Sequence, residues 1–233
     1  MSKQKSQGES MHIRIDDLIT LNSITHGQEV ARDAFRDGDH LALVGSAGTG
    51  KTLLGMYLAL ELVMDKSTEF ERLHIIRSVV PTRDVGYLPG TVEEKLNAYT
   101  GPYRAAASFL FDYDHKAYDK LVHNGFLKFE STSYIRGTTY DNCIILVDEM
   151  QNLNFHELDS VITRVGTNSR IIFSGDYYQS DFKTNSDKSG INTFLKILEQ
   201  LRNFTIVEFT WEDIVRSDFV RDYIMTKEWM GIK

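Results

Sequence analysis

The sequence holds a single cysteine, Cys143, so no internal disulfide is open to it. A lone thiol inside the apolar stretch Asn142-Cys143-Ile144-Ile145 reads as a core residue in a reducing compartment, not as a nucleophile. No apolar run reaches the roughly 20 residues that span a bilayer, and the N-terminus lacks the apolar core of a signal peptide. Together these absences predict a cytoplasmic protein with no membrane partner. Positive charge is not in excess either: 26 Lys and Arg stand against 33 Asp and Glu, a net charge of −7. That balance argues against a surface built for general duplex-DNA binding and leaves open a local basic groove for a single strand. With 42% hydrophobic residues in 233, the chain can bury a core without staples, and its length fits one domain.

What the chain does have is organised around residues 41–64, LALVGSAGTGKTLLGMYLALELVM. Leu41 to Val44 is dense enough in apolar residues for a buried strand. It runs into Gly45-Ser46-Ala47-Gly48-Thr49-Gly50-Lys51-Thr52, a complete G-x-x-x-x-G-K-[ST] phosphate loop. Apolar residues then recur at helical spacing from Leu53 to Val63. Glycines let the backbone curl so that its N–H groups point inward at the positive end of the following helix, where phosphate oxygens bind. Lys51 can reach the β- and γ-phosphates of a nucleotide, and the Thr52 hydroxyl can sit on Mg²⁺.

Residues 1–10 are polar and aperiodic and read as a disordered tail; 11–233 read as one domain. Thr25, with Gln28 three residues on, predicts a helix start, and Gly38 its end. Strands are expected at Leu73 to Arg77, Phe126 to Glu130, Cys143 to Val147, Arg170 to Ser174 and Thr205 to Phe209. Between them lie helices, including one interrupted at Gly101-Pro102 and one capped by Asn154 with Glu157. Gly175 to Gly190 reads as a polar loop before a helix from Ile191 to Leu201. A last helical stretch carries Ile214, Val215, Phe219, Val220, Tyr223 and Ile224. Alternating strands and helices predict an α/β fold with a mostly parallel sheet.

Two further motifs fall at predicted strand ends, where ligands sit in open α/β sheets. Ile144-Ile145-Leu146-Val147-Asp148-Glu149 is a buried strand closing on two acids. In that pattern Asp148 supports the Mg²⁺ shell and Glu149 is the general base that polarises the attacking water. A small-molecule kinase has no need of such a base. Phe173-Ser174-Gly175-Asp176-Tyr177-Tyr178-Gln179 ends the next strand; Gln179 is placed to sense a γ-phosphate, though Gly-Asp after a strand also serves as a plain turn. Arg77 and Arg136 are the local candidates for contacting phosphate, of nucleotide or of a nucleic-acid backbone. With Thr82, Arg83, Tyr87 and Tyr134 they fit a single-strand groove; as solvated loop charges they need no ligand.

Together these motifs resemble the P-loop ATPases of superfamily 1 helicase type, and more closely the PhoH family. Gly86-Tyr87-Leu88-Pro89-Gly90 looks like the family's Leu-Pro-Gly loop, and Ile135-Arg136-Gly137 like its Met-Arg-Gly segment. Asp148-Glu149-Met150-Gln151-Asn152 is similar to its Asp-Glu-Ala-Gln-Asn, and Gly175 to Asp181 to its Gly-Asp-x-x-Gln-x-Asp. Asp213 to Arg216 resembles its terminal Val-Arg helix. Ser78 departs from the family, which commonly has proline there.

The resemblance implies a RecA-like domain that hydrolyses ATP with Mg²⁺, coupled to RNA or single-stranded DNA, and a homo-oligomer such as a hexameric ring. It sets Gln28 as the residue that reads adenine, against the helix-capping role above. It sets Arg216 as an arginine finger reaching a neighbouring subunit's nucleotide, against an ordinary helix salt bridge. Nuclease activity, which some members carry on a further domain, is not expected of this chain, and its compact size suits a phage-encoded member.

Overall fold

Among the described residues six strands form one sheet, and every neighbouring pair runs parallel. The computed structural model describes residues 11–78, 96–176 and 185–231 (backbone only over 185–189). The strands are β1 (His40–Gly45), β2 (Arg72–Arg77), β3 (Leu127–Ser131), β4 (Cys143–Asp148), β5 (Arg170–Gly175) and β6 (Phe204–Phe209). Their order across the sheet is β3-β2-β4-β5-β1-β6. β5 is thus inserted between the phosphate-loop strand and the strand that ends in the two acids, as a RecA-like plan requires. Among the described residues seven α-helices connect or follow the strands: α1 (His26–Asp37), α2 (Lys51–Val63), α3 (Gly101–Leu110), α4 (Ala117–His123), α5 (Phe155–Ile162), α6 (Asn185–Leu198) and α7 (Asp218–Trp229).

The near-continuous apolar strands follow from burial on both faces. Side chains alternate across the sheet with period two. Leu41 and Leu43 of β1, Ile144 and Leu146 of β4 and Ile172 of β5 join the core shared with α1 to α4. Ala42 and Val44, Ile145 and Val147, and Ile171 and Phe173 face the opposite way, into the core shared with α5 and α6. α2 is buried nearly all round, which is why its sequence carries almost no polar face. Gly55 sets it close to the sheet, since a Cβ there would lie 2.9 Å from Leu146 Cδ1.

The local signals act as their chemistry demands. The Thr25 Oγ1 accepts from the Gln28 N–H at 3.4 Å, and Gly38 closes α1 at φ 106°. Asn154 and Glu157 form a reciprocal capping box on α5. Cys143 is buried, and burial raises its thiol pKa, as suits a core residue.

The helical pattern breaks ahead of Gly101-Pro102 as expected: residues 96–97 are helical, 98–100 are not, and Gly101 opens α3, where proline at the first turn gives up an N–H that has no partner there anyway. Two expectations are corrected. The segment read as a loop up to Gly190 is helical from Asn185. Ile214 to Arg216 are not helical: a 3-10 turn, Trp211–Asp213, precedes them, and Val215 donates its N–H to the Gly48 carbonyl at 3.1 Å. That contact with the phosphate loop takes the place of the helical bond, and α7 begins only at Asp218. Within the described residues no helix is long and apolar enough to cross a membrane.

Candidate functional site

The phosphate loop leaves β1 through Gly45 at φ 126°, where a Cβ would lie 2.0 Å from the Phe209 carbonyl oxygen on β6. Only glycine tolerates that approach and that backbone angle. Gly48 and Gly50 also take positive φ, and the loop delivers Lys51 as the first residue of α2. Its N–H groups therefore gather at the positive end of a 13-residue helix, a ready anion site. Lys51 Nζ donates to the carbonyls of Gly45 (3.1 Å) and Ser46 (2.6 Å) and to Thr49 Oγ1 (3.3 Å). Burial lowers the Lys51 pKa, opposed in turn by the charges of Asp176, Glu149 and Asp148. The ammonium is thus folded against its own loop with the acids of the site around it.

Asp148 is the last residue of β4 and is buried. Its Oδ1 accepts from the Thr52 hydroxyl and its Oδ2 from the Tyr103 hydroxyl, each at 2.8 Å. Arg77 stands opposite Asp148 in the β2–β4 register, with Tyr103 beside it. Burial opposes the Arg77 charge, but Tyr103, Glu149 and Asp148 more than offset it and hold its pKa above the usual value. At Glu149 the chain turns through φ 54°, ψ 43°, a left-handed conformation that a non-glycine residue keeps only at a cost of about 1–3 kcal/mol. The turn brings the two acids to the cleft one after the other. Burial, and then the neighbouring Asp148 charge, raise the Glu149 pKa above an ordinary carboxylate's. Gln151 holds it: its Nε2 donates to Glu149 Oε2, while its Oε1 accepts from the Asp176 N–H at 3.0 Å.

These groups line a cleft of about 520 Å³ along Ala47–Leu53, Pro102, Phe109, Asp148, Glu149, Gln151, Ser174–Asp176 and Arg216. Most of the residues expected from the sequence meet here; some do not. Gln28 is buried with its Nε2 donating to the Thr49 carbonyl (3.3 Å) and its Oε1 accepting from the Ile24 N–H (3.0 Å). Its side chain serves the phosphate loop and does not close a capping box on Thr25. Arg216 packs on its own chain's loop, within 2.9 Å of where a Gly48 Cβ would be. Ser46 turns its hydroxyl to Glu228 on α7 (3.1 Å). Arg136 is exposed beyond β3, the edge strand on the far side of the sheet from β1, and does not line the cleft. Gln179 lies outside the described residues, as do Thr82, Arg83 and Tyr87. Tyr103 and Gln151 carry roles the sequence did not announce. Tyr103 has no local signal, since its partner Asp148 lies on another element; Gln151 sits inside the Asp148–Asn152 motif, but its bond to the Asp176 N–H joins elements that no local pattern pairs.

A divalent ion fits this donor set. Mg²⁺ is held by one or two protein oxygens plus phosphates and water, and it does not need an all-protein cage. Thr52 and Asp148 offer hard oxygens already in contact across 96 positions of sequence, and no cluster of three or more His, Cys, Asp or Glu competes among the described residues.

A parallel sheet with a phosphate loop after β1 and an acid pair after β4 defines an α/β domain of the P-loop NTPase class. Residues 20–227 match the family model for PhoH-like proteins, and the chain belongs to that family. It is 32% identical over 183 residues to a PhoH-like protein of Mycobacterium leprae, which covers 78% of this chain and 51% of that one. With Protein PhoH of Escherichia coli it shares 32% over 180 residues, 74% of this chain and 48% of the relative. The chain thus spans about half the length of these relatives. Among solved structures it is similar to the large terminase of a thermophilic bacteriophage (TM-score 0.49, 13% identity, 85% of this chain and 49% of that one). A second likeness is to Bacteroides Pif1 bound to single-stranded DNA (TM-score 0.41, 11% identity, 92% and 48%).

Proposed function

We propose that this protein hydrolyses ATP with Mg²⁺ and couples turnover to RNA or single-stranded DNA. The observation that carries the reading is the Thr52–Asp148 contact. It joins the phosphate loop to the acid pair, so one cleft holds a phosphate cradle, a metal-binding oxygen pair and a base. The loop N–H groups and Lys51 bind the β- and γ-phosphates; Lys51 exchanges its bonds to loop carbonyls for phosphate oxygens. Thr52 and Asp148 would hold Mg²⁺, which would supply neutralisation of the phosphate charge. Glu149, held by Gln151, orients a water and takes its proton at the carboxylate. Gln179 senses the γ-phosphate and Arg216 stabilises charge on the transferring group; for Gln28 to read adenine, as the resemblance implies, its amide would first release the Thr49 carbonyl or the Ile24 N–H. The seat of Arg216 on its own loop favours action within the chain over reach across a ring. Nucleic-acid coupling and a homo-oligomeric state rest on the family resemblance.

Turnover by the purified protein at low salt, with and without single-stranded RNA and DNA, tests this. Phosphate release that is stimulated by one strand type and lost in Lys51→Ala supports the whole reading. Absence of release in the wild type would sink it. A second reading, a nucleotide-gated binding module with slow hydrolysis, is favoured by α7: it docks on the phosphate loop and turns Phe219, Tyr223 and Trp229 to solvent. Turnover indifferent to either strand supports that one.

A further inference from the structure

At the carboxyl ends of β2 and β4 the Tyr103 hydroxyl donates to Asp148 Oδ2 at 2.8 Å, and Arg77 stands opposite Asp148 in the strand register. A carboxylate accepts and a guanidinium only donates. With its one proton on Asp148, the Tyr103 hydroxyl can offer the neighbouring Arg77 only lone pairs. Tyr103 lies in the first turn of α3, has no exposed surface, and sets its ring 5.4 Å from that of Phe129. Phenylalanine would fill that space equally well; the hydroxyl is needed only for its polar partner, Asp148. Without it Asp148 Oδ2 would lose its partner, and nothing would separate the carboxylate from Arg77, its neighbour in the strand register. A direct Arg–carboxylate fork would follow, and it would occupy the oxygens that a metal ion uses.

Resting on the Mg²⁺–ATP reading above, the geometry points to Tyr103 as the positioning residue of Asp148. Its hydroxyl holds the carboxylate on Thr52 and keeps Arg77 from pairing with it, so that a divalent cation meets an oriented ligand. Groups that orient a metal ligand in this way are worth about 10- to 100-fold in metal affinity.

The test uses a fluorescent ATP analogue whose binding is titrated with Mg²⁺ and, separately, measured in EDTA. In Tyr103→Phe the EDTA affinity should stay at the wild-type level, because the phosphate loop is untouched. The Mg²⁺ needed for half-maximal tightening should rise about 10-fold or more. Adding Arg77→Met to Tyr103→Phe removes the competing cation and should return part of that loss. A Tyr103→Phe Mg²⁺ curve that overlays the wild type overturns the assignment, as does an equal fall in both affinities, which would mark a packing role. If Tyr103→Phe does not fold, 3-fluorotyrosine placed at 103 alone serves: its ¹⁹F signal should move on Mg²⁺ addition to the nucleotide complex, and a signal that stays put overturns the assignment. Wild-type binding that ignores Mg²⁺ altogether would overturn the ATPase reading itself, and the assignment with it.

Discussion

The two walls of the cleft are built in different ways. On one, Asp148, Glu149, Gln151 and Tyr103 form a buried network in which both oxygens of Asp148 and both ends of the Gln151 amide have partners. On the other, Val215, Arg216 and α7 rest on the loop through the Val215–Gly48 bond, the contact of Arg216 and Ile224 with Gly48, and the Ser46–Glu228 bond. No residue of α7 is buried, and Phe219 and Trp229 are each 81% exposed. A fully paired polar network holds atoms to fractions of an ångström, because any shift leaves a polar group unpaired. A helix held by few contacts costs little to move. On the proposed reading, chemistry falls to the first wall and response to partners to the second.

Breaking the rigid wall at its reacting group should give the largest effect. Glu149→Gln keeps the shape of the site and removes the proposed base, so turnover should fall about 10²- to 10⁴-fold while ATP binding persists. Retained turnover in a single-turnover phosphate-release assay would remove Glu149 from that role. Next comes the loop itself: Gly45→Ala puts a methyl against the Phe209 carbonyl at a backbone angle alanine resists. We expect a loss of about 3 kcal/mol or more in denaturant unfolding, with nucleotide binding lost as well.

A smaller effect concerns pH. A base must be ionised to act, and the Glu149 pKa is raised, first by burial and then by Asp148. The acid limb of kcat/KM should therefore lie above that of an ordinary carboxylate, with activity falling as pH drops through it. Gln151→Leu removes a bond that favours the charged form, and the limb should move further up; a limb that stays in place would separate Gln151 from the base. The smallest effect belongs to the loose wall. Phe219→Ser should change folding stability by no more than about 0.5 kcal/mol, because the side chain is already in water. A larger loss in thermal unfolding would show that α7 is packed against something in solution.

Much of the rigid wall was legible because its signals are local. A glycine pattern and an apolar strand closing on Asp148-Glu149 state their chemistry within a few residues, and strand burial followed from unbroken apolar runs. Tyr103 was not legible, since nothing near Gly101-Pro102 tells of a carboxylate 45 positions on. The loose wall misled for a related reason. Ile214 and Val215 fit the helical spacing of Phe219 and Tyr223, yet the Gly48 carbonyl captures the Val215 N–H and Ile214 is buried. Arg136 reads as a phosphate ligand in sequence but sits at the edge strand, a consequence of strand order, which no local pattern encodes.

The sequence by itself determined the class of the domain, the phosphate loop, the acid pair and nearly every strand, because each depends on residues adjacent in the chain. The tertiary structure alone decided which distant groups meet. Tyr103 meets Asp148, Gln151 bridges Glu149 and Asp176, Gln28 turns to the loop, and Arg216 seats on its own Gly48. Such contacts form only once the sheet has set its strand order, and buried polar groups then take whichever partners that order brings within reach.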